Sequence, residues 1–265
     1  LLLLWIVCTK IAPQGLIVAG MGLAAGLILA MALLSTTKHS VHPDELSHFT
    51  ALHYFSEHWL PPAIDDPAVI PSLSVYGSSY LSELDVTYPI AARVISPMIA
   101  FAGSEIMAAR LFQGLLWSIL CLCALHKKAW AIPLCVVLLS PQIWYVFSYF
   151  NGDAFPLFLT LIASLLLCDR DSGVHAYILG KRGFGSATLI FTLCLGLLLV
   201  SKLNYLPVIP GLLLWLAVLY LDLRWRELLA VLCSLVLVGF GVFARGLPSL
   251  TAWRGPMLLV ALGML

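Results

Sequence analysis

Long apolar runs separated by short polar turns dominate this 265-residue sequence. Hydrophobic residues make up 62% of the chain and charged residues only 10%, whereas a soluble domain is nearer half apolar and a quarter charged. The runs are long enough for membrane-spanning helices rather than for barrel strands. The sequence therefore predicts an all-α integral membrane protein, a polytopic helical bundle embedded in a lipid bilayer.

The apolar runs predict about seven to eight transmembrane helices. They cover residues 13–35, 104–125, 129–150, 154–168, 184–200, 203–221 and 228–243, and an eighth begins near residue 256. Because the chain starts at Leu1 and ends inside an apolar run, we expect residues 1–265 to form one transmembrane domain that is incomplete at both ends. All seven cysteines lie in or beside apolar runs, which is typical of small buried hydrophobic residues.

Lysine and arginine in the short loops predict the orientation in the membrane. With the N-terminus inside, the inner set is Lys10, Lys127, Lys128, Arg170, Lys181, Arg182, Arg224 and Arg226. The smaller outer set is Lys38, Arg93, Lys202, Arg245 and Arg254. The loop 36–103 and the turns "NGD" (151–153) and "SK" (201–202) then share the outer face, so their ionisable residues are expected at one membrane boundary.

The outer loop 36–103 concentrates the ionisable residues. Its segment 39–59, "HSVHPDELSHFTALHYFSEHW", holds five of the chain's seven histidines and three acidic residues. Pro43 suits the first position of a helix that continues to Pro61, with Asp44 and Glu45 in its first turn. The pattern predicts an amphipathic helix at the membrane surface, either a solvated connector or part of a site. Four other acidic residues are predicted to be solvated loop charges: Asp65, Asp66, Glu83 and Asp85.

Two chemistries fit the segment "HPDELSH". In the first, Asp44 is a general base that takes a proton from an acceptor hydroxyl, and Glu45 or His48 orients the acceptor or a phosphate. In the second, these three residues bind a divalent metal, with His39 and His42 as further ligands. The segment lacks the complete HExxH pattern of zinc proteases. No cofactor is required by the first chemistry, and a divalent metal is required by the second.

The segment "HPDELSHF" (42–49) also resembles the acidic motif of the GT-C glycosyltransferases, which include the protein O-mannosyltransferases. In that superfamily Asp-Glu followed by His-Phe lies in the first outer loop, as Asp44, Glu45, His48 and Phe49 do here. Three further segments resemble later spans of the superfamily: "MAARLFQGLLWSILCLCAL", "LLSPQIWYVFSYFNGDAFPLFL" and "SKLNYLPVIPGLLL". GT-C enzymes are multispanning proteins that use polyprenyl-phosphate-linked sugars.

The resemblance implies a fold, a reaction and residue roles. It implies transfer of a sugar from a polyprenyl-phosphate donor to a hydroxyl of a glycan, lipid or protein acceptor, with inversion, at the outer face of a bacterial inner membrane. Asp44 would be the catalytic base, and Glu45 would hold the acceptor or position the base. Four residues would bind substrate near the lipid phosphate: His48, Lys202, Arg110 and Asp153.

Other interpretations remain open at the level of sequence. Arg110 could have a purely structural partner in Glu105 or Asp153, Lys202 could be an interfacial anchor, and Asp153 could serve only the turn. The broken spans and the acidic outer loop also fit a transporter, and the histidines fit a metal-dependent membrane hydrolase. A net charge of +1 without a basic cluster gives no reason to expect a nucleic-acid partner.

Overall fold

The computed structural model describes residues 13–34, 42, 44–63, 65–73, 77, 79–81 and 85–220. Within these residues the chain is mostly helical and contains no β-strand. A single isolated bridge joins Leu73 to Ser79. The predicted all-α class is confirmed for the described residues.

Eleven α-helices lie in the described part of the chain. They are α1 (Pro13–Leu34), α2 (Glu45–Glu57), α3 (Thr87–Ile95), α4 (Ile99–Ala102), α5 (Glu105–His126), α6 (Lys128–Leu138), α7 (Pro141–Ser148), α8 (Ala154–Cys168), α9 (Gly173–Ile178), α10 (Ser186–Leu199) and α11 (Val208–Tyr220). Short 3₁₀ helices cover Pro67–Ser72, Ser96–Met98 and Leu203–Tyr205.

Two stretches among the described residues are long and apolar enough to cross a membrane. They are Glu105–Ala124 and Leu203–Tyr220. A third arises if Ala129–Leu138 and Pro141–Ser148 count as one span, although the two helices meet at an angle of 80°. Proline at the first turn of α7 accounts for the break, because it suits a helix start and disfavours a helical residue before it. The seventh and eighth predicted spans lie outside the described residues.

The sequence placed the apolar helices well and the polar helix α2 less well. α8 has the predicted bounds, and α1 and α5 differ from the predicted spans by one residue at their ends. The prediction that α2 begins at Pro43 is wrong, because Asp44 has φ 56° and ψ 6°, which is left-handed rather than helical. The helix instead begins at Glu45 and ends at Glu57, before an extended His58.

Helix α5 is the centre of the first compact unit, Leu1–Tyr205. It contacts α1, α3, α6, α7 and α8, while α3 also packs on α2, and α8 on α10. Its buried face carries large apolar side chains such as Phe112, Trp117 and Leu120, whose burial stabilises the bundle. The second unit, Leu206–Leu265, contributes α11 to the described residues.

Contacts between polar side chains show which helix ends of the first unit lie together. Lys127 after α5 forms an ion pair with Asp169 after α8, and Nε1 of Trp130 donates to the same carboxylate at 3.1 Å. The ends of α5 and α8 are therefore together. Their beginnings meet at the opposite end, where the chain also leaves α10, and the candidate site lies there.

Candidate functional site

A buried ion pair joins the start of α2 to α5. Nε of Arg110 donates to Oε1 of Glu45 at 2.9 Å, and Nη2 donates to Oε2 at 2.8 Å. The two side chains are 1% and 2% exposed. A bidentate pair of this kind restricts orientation as well as distance. The pair therefore holds the N-terminus of α2, and with it the adjacent Asp44, against α5.

The partner of Arg110 is neither of the two residues suggested by the sequence. Glu105 is five positions earlier, which is about 140° around the helix, and it faces an exposed histidine instead. Asp153 pairs with Lys202. The partner is Glu45. The helical pattern of α2 did not indicate this, because the pair joins residues from two helices that are distant in sequence.

Asp44 is the N-cap residue of α2 and the only non-glycine residue with positive φ in the described part. Its carbonyl accepts a hydrogen bond from the N–H of His48 at 3.0 Å. Its side chain makes no capping bond, and none of the described residues forms an ion pair with it. A left-handed residue costs about 1–3 kcal/mol and persists only where its surroundings impose it. The backbone of Asp44 is therefore held in position, and its carboxylate forms neither a capping bond nor an ion pair with the described residues.

Tyr149 lies within electrostatic reach of three carboxylates, those of Asp44, Glu45 and Asp153. Burial raises the pKa of Tyr149 above its ordinary value, and the nearby charges of Tyr145, Asp153, Glu45 and Asp44 raise it further. A charge affects a neighbour's pKa strongly only over a short distance. The start of α2 and the "NGD" turn therefore lie at the same end of the first unit, where Gly152 also approaches His48.

His42 forms an aromatic wall beside this group. Its ring stacks on Tyr149 at a centroid distance of 4.6 Å and meets Tyr145 edge-on at 5.7 Å. Burial lowers the pKa of His42; the carboxylate of Glu45 opposes this shift and the Arg110 guanidinium adds to it. His42 is therefore neutral near pH 7 and adds no charge to the site.

His48 lies in a second aromatic cluster and is also neutral. Its Nδ1 shares a 2.7 Å hydrogen bond with the hydroxyl of Tyr88, and its ring stacks on Tyr80 at 4.2 Å. Burial lowers the pKa of His48 to about 3, and the positive charge of Lys202 contributes. A neutral, buried imidazole can exchange a hydrogen bond with a ligand but cannot offset a phosphate charge at neutral pH.

Gly152, in the "NGD" turn, allows the close approach of this cluster. A Cβ atom at this position would lie 2.9 Å from Oη of Tyr88, 3.3 Å from Oδ2 of Asp85 and 3.7 Å from Cε1 of His48. The first distance is too short for any side chain without movement of the tyrosine. The sequence showed a polar turn here but no sign that a glycine was needed for packing.

The prediction that all four remaining loop acids are solvated is wrong for Asp85. This residue is only 5% exposed, and it accepts a 2.9 Å hydrogen bond from the N–H of Thr87 at the start of α3. Asp66 similarly accepts from an N–H of the 3₁₀ helix that follows it, whereas Asp65 is exposed. Glu83 lies outside the described residues. The hydrogen bond from the first N–H of α3 gives the buried Asp85 carboxylate a polar partner.

Asp153 and Lys202 form a partly exposed ion pair at the same end of the bundle. The Lys202 ammonium donates to Oδ2 of Asp153 at 2.9 Å, and the side chains are 21% and 36% exposed. The pair forms because α8 and α10 pack together and are joined by a connection at their other ends. The structure thus brings together two residues that the sequence assigned to one membrane boundary.

Asn151 shapes the turn that carries Asp153. Its Oδ1 accepts from the N–H groups of Asp153 and Ala154 at 2.9 and 3.1 Å, and its Nδ2 donates to the carbonyl of Tyr149 at 2.9 Å. Its own carbonyl accepts from Nε2 of Gln113 on α5 at 3.1 Å. Because Asn151 satisfies the N–H groups at the helix start, the Asp153 carboxylate makes no capping bond and is left to Lys202.

The described part of the chain contains no cluster of side chains that would support metal binding. No group of three histidine, cysteine, aspartate or glutamate side chains is placed there to hold an ion. Of the ligands considered from the sequence, Glu45 and His48 are engaged in the ion pair and the hydrogen bond described above. His39 lies outside the described residues.

Comparisons with known proteins return no match: no protein-family model, no curated protein and no solved structure is similar to this chain. Function is therefore inferred from the geometry of the site and from the motif at residues 42–49.

Proposed function

We propose that this chain is a membrane glycosyltransferase that transfers a sugar from a polyprenyl-phosphate-linked donor to an acceptor hydroxyl. The observation that carries the proposal is the Asp44 carboxylate, which has no ion-pair partner among the described residues. The resemblance of residues 42–49 to the acidic motif of GT-C enzymes names the reaction class. The charge balance around Asp44 supports it independently.

Four charged residues of the site form two ion pairs. Glu45 pairs with Arg110, and Asp153 pairs with Lys202. The pKa of His48 is well below neutral, so that side chain adds no charge. Among the described residues Asp44 forms no ion pair, and it directly precedes Glu45, whose own ion pair holds the start of α2 against α5. A carboxylate that is held in place and has no ion-pair partner among the described residues is suited to general base catalysis.

The reaction is a single displacement. The acceptor hydroxyl gives its proton to the Asp44 carboxylate as its oxygen attacks the anomeric carbon of the sugar. The bond between that carbon and the phosphate oxygen breaks, and its electron pair stays on the departing polyprenyl phosphate. Attack from the face opposite the leaving group inverts the anomeric configuration.

Lys202 is the cation that we assign to the departing phosphate. Its ammonium carries three N–H donors, of which Asp153 takes one at 2.9 Å. Part of the side chain is accessible, so a phosphate can approach the remaining donors. Fixed positive charge stabilises a leaving phosphate strongly in a site with little water. Arg110 already shares its charge with Glu45, and we assign both of them to positioning Asp44.

The membrane arrangement belongs to the same proposal. Basic residues at the end opposite the site, among them Lys127, Arg170 and Lys181, favour an extracytoplasmic site under the positive-inside rule. We propose a bundle of seven to eight spans in a bacterial inner membrane, with the acceptor arriving from the periplasmic side. The lipid part of the donor remains in the bilayer throughout.

The test is a transfer assay in membranes that contain the chain. Polyprenyl phosphates carrying labelled hexoses or pentoses are supplied with a mixture of hydroxyl acceptors, and the labelled product is isolated. We expect the wild-type chain to transfer label and Lys202→Ala to transfer less, because the departing phosphate loses its cation. Flux of a solute across sealed vesicles with no labelled glycan would contradict the proposal and indicate a transporter.

A further inference from the structure

A basic cavity of about 270 Å³ lies at the end of the first unit opposite the candidate site. The connection after α8, the short helix α9 and the turn that follows α9 form its walls. Three exposed basic residues line it: Arg170, Lys181 and Arg182. Asp171 is the one carboxylate among the described lining residues. The cavity therefore carries an excess of positive charge.

The three basic side chains have no ion-pair partner within the described part of the chain. The nearby carboxylate of Asp169 is engaged by Lys127 and Trp130. The four ion pairs of the described residues include neither Asp171 nor any of the three basic side chains. Exposed arginine and lysine side chains are charged at neutral pH, and their donors bond most strongly to carboxylate or phosphate oxygens. An anion is thus the ligand that this cavity fits.

Hydrogen bonds tie the helix beneath the cavity to the end of α8. Oγ of Ser172 donates to the carbonyl of Leu166 at 2.7 Å. One turn later, Nε2 of His175 donates to the carbonyl of Leu167 at 2.7 Å. Both donors are buried. The floor of the cavity is therefore built into the bundle rather than formed by a loose loop.

The turn after α9 brings basic residues from both of its sides to the same cavity. Gly180 has φ 66°, and the N–H of Lys181 donates to the carbonyl of Ala176 at 2.8 Å. This is the Schellman pattern, in which a left-handed glycine ends a helix and reverses the chain. Because the chain reverses here, Lys181 and Arg182 line the cavity together with Arg170, which precedes the helix.

Exposed apolar side chains flank the cavity at a membrane boundary. Tyr177, Leu179 and Phe184 are 43%, 50% and 59% exposed, and the two aromatic rings meet edge-on at 5.7 Å. The boundary position follows from Lys127, which comes directly after the membrane-crossing helix α5 and pairs with the residue before Arg170. Aromatic and basic side chains together are typical of the level of lipid headgroups. These surroundings favour a lipid headgroup over a free ion as the source of the anion.

We propose that this cavity binds the phosphate of an anionic glycerophospholipid. The two unesterified oxygens of the phosphodiester accept hydrogen bonds from the guanidinium groups of Arg170 and Arg182 and from the ammonium of Lys181. The acyl chains lie along the exposed apolar side chains beside the cavity and continue into the bilayer. The site is at the opposite end of the first unit from Asp44 and does not depend on the proposed sugar transfer.

The ligand is tested by native mass spectrometry of the full chain in detergent. The probes are dioleoyl phosphatidylglycerol, dioleoylglycerol, which has the same acyl chains without the phosphate, and glycerol 3-phosphate, which has the phosphate without the chains. We expect the phospholipid to bind at least about tenfold more tightly than dioleoylglycerol, since several basic residues contribute. Equal binding of these two lipids would show that the phosphate is not recognised. Displacement of the phospholipid by an equal concentration of glycerol 3-phosphate would overturn the lipid as the source.

Charge variants of opposite sign test the location. Lys181→Gln is expected to weaken binding of the phospholipid about fivefold, the effect of one basic residue at a membrane surface. Asp171→Asn removes the carboxylate of the cavity and is expected to strengthen binding, a gain that misfolding cannot produce. Glu57→Gln on α2 changes the net charge equally at an exposed position outside the cavity, and it is expected to leave binding unchanged. Unchanged binding in Lys181→Gln or Asp171→Asn would refute the location, as would an equal gain in Glu57→Gln.

Discussion

Replacing Glu45 by glutamine removes one charge from the buried ion pair while keeping the size of the side chain. The Arg110 guanidinium then stays 1% exposed with no counter-charge in contact. Loss of one partner from a buried pair costs about 3–5 kcal/mol, because the remaining charge is neither solvated nor compensated. We expect Glu45→Gln to lower the free energy of unfolding by this amount.

The pair also predicts a specific non-additivity. Arg110→Met alone leaves the Glu45 carboxylate buried without its partner and is expected to be similarly destabilising. The double variant, with Leu at position 45 and Met at position 110, replaces both charges by apolar groups, and such replacements are often close to neutral. The double variant is therefore expected to be more stable than either single variant. Its loss of unfolding free energy is then smaller than the sum of the two single losses, and the difference is the coupling energy of the pair.

The assay is unfolding of the purified chain in detergent micelles, followed by its circular dichroism. Glu105→Gln on the same helix is the matched control, because its partner His53 is 69% exposed and Glu105 itself is 34% exposed. An exposed pair contributes at most about 1 kcal/mol. A Glu45→Gln variant as stable as the Glu105→Gln control would refute the reasoning, since it would mean that the pair is not buried.

Three smaller predictions follow from the same region. Gly152→Ala is expected to lower the free energy of unfolding by about 1–3 kcal/mol because of overpacking. Gly114→Ala is the control and is expected to cost nothing, because no atom lies within 4 Å of its Cβ position. Equal melting temperatures of the two variants would contradict this prediction. Because the pKa of His48 falls from 6.5 to about 3 on folding, its contribution to stability is full above pH 6.5 and is lost as the pH falls toward 3. Between pH 6.5 and 3, the free energy of unfolding should fall more steeply with decreasing pH for the wild type than for His48→Gln. Equal slopes would be inconsistent with a buried neutral imidazole. Asp153→Asn, which breaks a partly exposed pair with Lys202, should change stability by no more than about 1 kcal/mol, and a larger loss would show that the pair is structural.

The helices could be predicted from the sequence because each depends on local features. Apolar runs bounded by polar turns define α1, α5 and α8 to within a residue, and Pro141 marks the break between α6 and α7. The start of α2 could not be predicted in this way. Asp44 has a left-handed backbone, and its neighbour Glu45 pairs with a residue 65 positions away, a contact that no local pattern indicates.

The membership of the site was only partly predictable for the same reason. Asp153 and Lys202 were expected at one boundary because topology alone brings their turns together. The close approach of Gly152 to Tyr88 and the burial of Asp85 depend on packing between residues 85–88 and a distant turn. No periodicity in the sequence marks such contacts. The short "NGD" motif indicated a turn before a helix, but not that Gly152 packs against Tyr88.

The most direct test of the central claim is the rate of sugar transfer by Asp44→Asn compared with Asp65→Asn. Asp65 is an exposed acid of the same loop, so its replacement controls for loss of loop charge. If Asp44 is the general base, its amide variant is expected to lose about 100-fold or more in rate while folding normally, and the Asp65 variant is expected to keep the wild-type rate. Transfer by Asp44→Asn at the rate of the Asp65 variant would contradict the assignment of Asp44 as the base.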